Sequence, residues 1–154
     1  MPGIYIHSLL GSRSWQAGVR QTGRLRSINR EKLRLSAVTA ELNDPGSLRS
    51  RVFSAYRELI ARRIQEKAFH PNAPQTALRL HPAVFALLRS SPDDAEHIVA
   101  LHNVANRRAQ VDLSAVPLAG VRAYHDLLSD QPVAAGEMLD IAPYQVLWLK
   151  AQLL

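Results

Sequence analysis

Residues 3–10 read GIYIHSLL, an apolar run halted by Gly11-Ser12, and the fold of the whole chain turns on how this run is placed. A run this apolar predicts a strand buried on both faces, because neither alternate set of side chains is polar. Such a strand needs a neighbour on each side to satisfy its backbone N–H and C=O groups. The next stretch, SWQAGVRQTGRLRSINRE (14–31), is polar and dense in arginine, with Gly18 and Gly23, and supplies no such neighbour. The expectation is a strand taken from a larger sheet, and a chain that forms the tail end of a larger enzyme.

Composition narrows the class. A 154-residue chain with 47% hydrophobic residues is long enough for one domain, or a small domain plus part of another, and is not disordered in bulk. No apolar run approaches the roughly 18 residues of a membrane span, and the N-terminus lacks the basic region and cleavage site of a signal peptide. Zero cysteines remove disulfides and thiolate metal sites, which suits a cytoplasmic protein. Charge is uneven: residues 1–67 carry 13 Lys and Arg against 5 Asp and Glu, while residues 68–154 carry 6 against 8. The 16 arginines outnumber the 3 lysines, and arginine is the residue suited to bidentate contact with carboxylates and phosphates.

Along the chain, residues 11–29 predict a loop or short helical turns, with Trp15 and Val19 at i, i+4 spacing. Residues 30–42 predict a helix. Asn43-Asp44-Pro45-Gly46 breaks it, and Asp44 or Ser47 caps the next one. That helix, about 46–67, places Leu48, Val52, Ala55, Tyr56, Leu59, Ile60 and Ile64 on one side and its arginines in water on the other. The prolines at 71 and 74 end it. Beyond residue 75 the period changes. Seven short apolar segments (76–80, 84–89, 97–104, 109–113, 121–128, 137–141 and 145–150) alternate with turn residues, the mark of an antiparallel sandwich. Trp148 and Tyr144 are expected in its core.

In this order PGIYIHSLLGS (2–12), TGRLRSINRE (22–31), AYRELIARRIQEKAFHP (55–71), IVALHNVANRRAQVDL (98–113) and PYQVLWL (143–149) resemble the C-terminal third of sucrose-phosphorylase-like enzymes. These enzymes belong to the α-amylase superfamily, glycoside hydrolase family 13. The likeness covers nearly the whole chain; the PGIYIHSLLG and TG-x-x-R…INR pieces are the specific ones. It implies an α+β chain in which residues 1–74 close a (β/α)₈ barrel and residues 75–154 form the antiparallel β-sandwich called domain C. The barrel part would comprise strand 3–10, loop 11–29 and helices about 30–42 and 46–67. Loops at the C-terminal ends of barrel strands build the active site.

The resemblance also implies a retaining mechanism, which needs two carboxylates about 5–5.5 Å apart as nucleophile and acid/base. In the family these lie on earlier barrel strands. Residues 1–30 contain no Asp or Glu, so the chain is not expected to transfer glucosyl groups by itself. The alignment places Arg26 where the family has a sugar-pocket arginine that binds the glucosyl unit and pairs with an early aspartate. A guanidinium fork can serve both a carboxylate and a hydroxyl. From composition alone Arg26 is one of several solvated loop arginines. Arg24 is weaker, and Arg30 fits an anchoring ion pair. Arg13-Ser14-Trp15 replaces the Asn-Asp common in sucrose phosphorylases, which leaves sucrose in doubt and admits another glucoside, such as a glucosylated glycerate or glycerol. Arg13 suits an anionic acceptor or phosphate.

The six histidines lack metal-ligand spacing, and His7 reads as structural; no metal or cofactor is implied. In the complete enzyme the partners would be an α-glucoside or phosphate, with neither nucleic acid nor membrane, and the unpaired edge of strand 3–10 favours a homo-oligomer. Two other readings stay open at this level. One is a freestanding β-sandwich that binds carbohydrate or protein. The other is a basic nucleic-acid-binding protein, suggested by the basic half but supported by no helix-turn-helix, RNP or zinc pattern.

Overall fold

The computed structural model describes residues 3–154. The chain divides into two compact units, one up to Ala61 and one from Arg62 to Leu154. The first is helical: α1 (Ile6–Leu9), α2 (Gln16–Thr22), a 3₁₀ turn (Leu25–Asn29), α3 (Leu35–Leu42) and most of α4 (Leu48–Gln65), which continues into the second unit. Among the described residues no helix is long and apolar enough to cross a membrane.

The strand expected at 3–10 is not formed. Ile6–Leu9 make a single helical turn instead, with Leu9 N–H bonded to Tyr5 O and Leu10 N–H to Ile6 O, both at 3.0 Å. The physical reason is the one that made a strand demanding. A strand without neighbours leaves every backbone group unpaired, whereas a helical turn closes its bonds locally. The turn leaves Ile4, Tyr5 and Ile6 exposed and buries only Leu10. With no strand there, the edge on which self-association was expected is also absent. Gly11 follows in the left-handed region at φ +58°, where a Cβ would lie 2.8 Å from the Val52 side chain. Both facts require glycine.

Of the two candidate caps for α4, Ser47 prevails. Its Oγ accepts from Ser50 N–H at 3.0 Å, while Asp44 turns back to accept from Gly46 N–H at 2.9 Å. The stripe read on α4 is only partly covered: Val52, Tyr56 and Ile60 are half-buried, but Leu48, Ala55, Leu59 and Ile64 are exposed.

The second unit is the expected sandwich. Strands β1 (Gln75–His81), β2 (Val84–Ser90), β3 (His97–Asn103), β5 (Val121–Asp126), β6 (Gln131–Ala134) and β8 (Val146–Leu153) form one antiparallel sheet in the order β1-β2-β3-β8-β5-β6. β4 (Ala109–Asp112) and β7 (Met138–Ile141) form a second sheet of two strands. Alternation sends Val84, Ala86, Val99, Leu101, Tyr124, Leu147 and Leu149 to the inner face of the large sheet, where they meet Ala109, Val111 and Ile141 of the small one. β6 was not anticipated; its Pro132 hides the pattern and is tolerated because β6 is an edge strand. Tyr144, expected in the core, is exposed at φ +57° in the turn before β8. Trp148 is half-buried on the outer face, its ring 4.9 Å from that of Phe69.

Residues 62–70, expected to go with the preceding helix, fold with the sheet. Ala68 and Phe69 cover Ile98 and Trp148, and Arg63 lies 4.6 Å over the Phe69 ring. Arg62, expected in water, donates to Leu127 O. Arg89 donates to Ala68 O at 3.0 Å and His70 O at 2.8 Å. Lys150 Nζ sits between Glu66 Oε2 at 2.6 Å and Glu96 Oε2 at 2.7 Å, and Glu96 Oε1 accepts from Ala68 N–H at 2.8 Å.

Burial works to raise the Glu96 carboxyl, but the Ala68 N–H and Lys150 outweigh it and hold it below the usual range. Burial likewise works to lower Lys150, and the two carboxylates overcome it and hold the ammonium above its ordinary value. A depressed carboxylate contributes stability above its unfolded pKa of about 4.3 that is lost as pH falls through the folded value. A raised lysine contributes below about 10.4, and that is lost as pH rises through its folded value. The clasp is therefore complete between about pH 5 and pH 10. Urea midpoints measured from pH 3 to 7 are expected to fall less steeply on acidification in Glu96→Gln than in the parent chain; parallel profiles would show that the clasp contributes nothing.

Candidate functional site

The arginine loop of the first unit is built by its smallest residues. In α2, Gly18 is buried because the Trp15 ring lies against it: a Cβ there would come within 2.0 Å of the ring. Thr22 Oγ1 bonds back to Gly18 O at 2.7 Å and meets Ser27 Oγ at 2.8 Å. Gly23 ends α2 in the left-handed conformation at φ +66°. Beyond it, the 3₁₀ turn Leu25–Asn29 is fixed on the inside by buried Ser27. It is fixed at its far end by Trp15 N–H donating to Ile28 O at 2.6 Å and Tyr5 Oη donating to Asn29 O at 2.7 Å. The backbone of the turn is thus held from three sides.

Its side chains are free. Arg24, Arg26 and Arg30 are exposed, and so are Arg13 and Arg20. Arg26 makes no hydrogen bond or ion pair among the described residues. Arg30 forms no anchoring ion pair either. Five exposed guanidinium groups on a segment without a carboxylate form a cationic surface that can bind anions or hydroxyls. Among the described residues this segment carries no carboxylate to act as the nucleophile or acid/base of a retaining mechanism. His7 is half-buried against the Tyr5 ring at 5.3 Å.

One arginine works differently from its expected role. Arg49, read as a solvated residue of α4, donates Nε to Glu41 at 3.0 Å and Nη1 to Leu10 O at 3.2 Å and Ser12 Oγ at 3.1 Å. It ties the end of α1 to α4 and α3. No sequence signal marked it, because Glu41 lies on a different helix and the other two partners are 37 and 39 residues away.

In the second unit Ser90 Oγ, His97 and Asp94 approach one another, but both oxygens face the same ring nitrogen, Nδ1, at 2.8 and 3.8 Å. A nucleophile–base–carboxylate relay needs the two ring nitrogens to be used separately. This cluster is therefore a strand-end contact. Among the described residues no group of three or more His, Asp or Glu is placed to hold a metal ion.

Helices followed by an antiparallel sheet of six strands align with the C-terminal portion of solved glycoside hydrolase family 13 enzymes. Solved structures that share this fold include the following two. Trehalulose synthase MutB from Pseudomonas mesoacidophila MX-45 superposes with a TM-score of 0.56 at 23% identity, over 75% of this chain and 20% of its own. AmyP in complex with maltose superposes with a TM-score of 0.58 at 18% identity, over 66% of this chain and 20% of its own.

The chain is a homologue of the glucosylglycerate phosphorylases, sucrose-phosphorylase-like members of glycoside hydrolase family 13. It is 51% identical to that of Spirochaeta thermophila over 106 residues, which is 69% of this chain and 18% of the relative. It is 35% identical to that of Escherichia coli K12 over 150 residues, 97% of this chain and 25% of the relative. The chain thus spans a quarter or less of the length of these relatives. No protein-family profile matches it.

Proposed function

We propose that the chain supplies the C-terminal portion of a cytoplasmic, retaining phosphorylase of glucosylglycerate, with residues 75–154 as its domain C, and that it transfers no glucosyl group by itself. The observation that carries this reading is 35% identity to a glucosylglycerate phosphorylase along 97% of the chain. The arginine loop gives it chemical sense. Glycerate and phosphate are both anions, and Arg13 and Arg26 stand exposed on a loop that lacks any competing carboxylate. Arg26 is the residue we assign to the glucosyl pocket, with its fork divided between a sugar hydroxyl and an aspartate from the preceding part of the enzyme. Arg13 faces the acceptor. In phosphorolysis the glycosidic C–O bond breaks, a C–O bond to phosphate forms, and a proton goes to the departing glycerate oxygen. The two carboxylates that manage this would come from outside the chain.

The test is a chimera in which this chain replaces the matching 150 residues of the Escherichia coli relative. The isolated chain is expected to release no glucosyl phosphate from glucosylglycerate, and the chimera to release it only when phosphate is present. Arg26→Ala in the chimera is expected to lower kcat/KM by about 100-fold or more, equivalent to ~3 kcal/mol of lost charge-assisted bonding. Arg26→Lys should recover only a small part, since an ammonium cannot fork. An active chimera indifferent to Arg26→Ala would remove Arg26 from the pocket. A chimera that accepts sucrose but not glucosylglycerate would overturn the substrate.

A further inference from the structure

β1 lies at a margin of the six-stranded sheet, with β2 as its neighbour on one side. The register fixes which of its backbone groups are already used. Ser90 N–H donates to Pro74 O at 3.2 Å, immediately before the pair Gln75↔Arg89. Bonded and non-bonded pairs alternate along an antiparallel ladder, so Thr76 and Leu78 bond to β2. The N–H and C=O groups of Gln75, Ala77 and Arg79 therefore point to the open side. Side chains alternate as well: Leu78 and Leu80 turn to the core with Thr76, and Gln75, Ala77 and Arg79 lie on the outer face, where Gln75 Oε1 accepts from Arg89 Nη1 at 2.8 Å. The register slips between Leu78 and His81, which keeps the regular edge short. Residues 75–80 contain no proline, no lysine and no inward-turned charge to repel an added strand.

We infer that β1 pairs antiparallel with β1 of a second copy of this chain, with the twofold axis through Ala77. The three outward residues select this occupant because they are spaced evenly about Ala77. Across that axis Ala77 meets the partner's Ala77, and Gln75 meets the partner's Arg79, each pair exchanging two N–H···O bonds. Moving the axis by one residue leaves Gln75 or Arg79 without a regular counterpart. Charge agrees with the same axis. Arg79 is the one fixed charge of β1, and it falls across from a neutral amide whose oxygen can accept from it. An axis through Arg79 itself would set two guanidinium groups directly opposite each other.

The inner side of the edge fits this pairing too. Thr76 meets the partner's Leu78, and Leu80 meets the partner's Pro74. A cleft of about 420 Å³ lined by Leu78, Leu80, Pro82 and Val84 opens beside the strand. The partner's Pro74 brings an apolar ring to it and no N–H in need of an acceptor. The shared surface is short, so the dimer is a reversible one. It is independent of which glucoside the complete enzyme uses.

The test is sedimentation equilibrium of the full chain, where a dimer with a dissociation constant of about 10–100 µM is expected. Ala77→Pro removes an N–H that β2 does not use. It is expected to raise that constant at least about 10-fold while moving Tm by less than about 3 °C. The chain has no cysteine, so single substitutions read the axis directly. Across the axis the two Ala77→Cys Cα atoms stand about 5.5 Å apart, within disulfide reach, whereas the two Gln75→Cys positions are more than about 13 Å apart. With oxidised glutathione, Ala77→Cys is expected to form covalent dimer at least about 10-fold faster than Gln75→Cys. A chain that is monomeric at about 200 µM overturns the inference. So does a dimer that folded Ala77→Pro leaves intact, which would give the association to exposed apolar residues of the first unit such as Ile4, Ile6 and Leu25. Equal cross-linking of the two cysteine variants overturns it likewise. If Ala77→Pro does not fold, the cysteine comparison decides by itself.

Discussion

Asp126→Ala is expected to lower the unfolding free energy of the sandwich by about 3–5 kcal/mol, a large share of what a domain of this size possesses. Asp126 ends β5 and is 1% exposed. Its carboxylate accepts four bonds: Leu128 N–H at 3.3 Å, Ser129 N–H at 3.1 Å, Ser129 Oγ–H at 2.5 Å and Trp148 N–H at 2.9 Å. The first three shape the turn from β5 towards β6, and the fourth stitches that turn to β8. Alanine removes every acceptor and strands the buried donors, which is the expensive direction of such a change. Asp126→Asn keeps one carbonyl acceptor and should cost less than half as much. Urea unfolding of the two variants separates these costs. A loss below about 1 kcal/mol in Asp126→Ala would mean that water reaches the turn and replaces the carboxylate.

Ile141→Ala is expected to cost about 2–5 kcal/mol by the same measurement. Ile141 is fully buried on β7, paired with Ala109 on β4, and belongs to the cluster that includes Val99, Leu101, Tyr124 and Leu149 of the large sheet. The small sheet has only two strands, so its inner side chains are the main bond between the layers. Deleting one leaves a cavity that neighbouring strands, fixed by their ladders, cannot close. Ile64→Ala, on the apolar stripe of α4 but 77% exposed, is the control and should change stability by less than about 0.5 kcal/mol. If both substitutions cost the same, the sandwich is not held by its inner faces.

The contrast between Ile141 and Ile64 shows what the sequence could and could not reveal. Among the described residues, seven of the eight strands were legible because period-2 alternation and turn residues are local properties, and β4 displays them plainly in Ala109-Gln110-Val111-Asp112. β6 was hidden by Pro132, whose meaning depends on whether a strand is central or at an edge. The helical stripe of α4 was also legible as a pattern, but burial of Leu48, Leu59 and Ile64 depends on what lies against them. Residues 3–10 make the same point more sharply. Ile4-Tyr5-Ile6 has strand character, yet strand formation is a property of neighbours, and among the described residues Ile6–Leu9 close a helical turn instead. Arg49 and Arg62 were read as solvated because their partners are remote in sequence. Tyr144 was assigned to the core because Leu147 and Leu149 follow it, whereas the turn around it is governed by Asn103 and Gln145. For the candidate site, the arginines and the missing carboxylates were visible in the sequence. The scaffold of Gly18, Thr22 and Ser27 that holds the loop was not.

Pro132 has one more consequence, for the way copies of this sheet could join. The six-stranded sheet has two free margins, β1 and β6. On β6 Pro132 pairs with His125 across β5 and has no N–H to offer to an added strand. Growth by strand addition is thus obstructed on one side and open only along Gln75–His81. Two chains meeting there would use like margins, closing a twofold pair, and each would turn a proline-bearing margin to solvent. Geometry of that kind terminates after a single addition instead of propagating into a fibre.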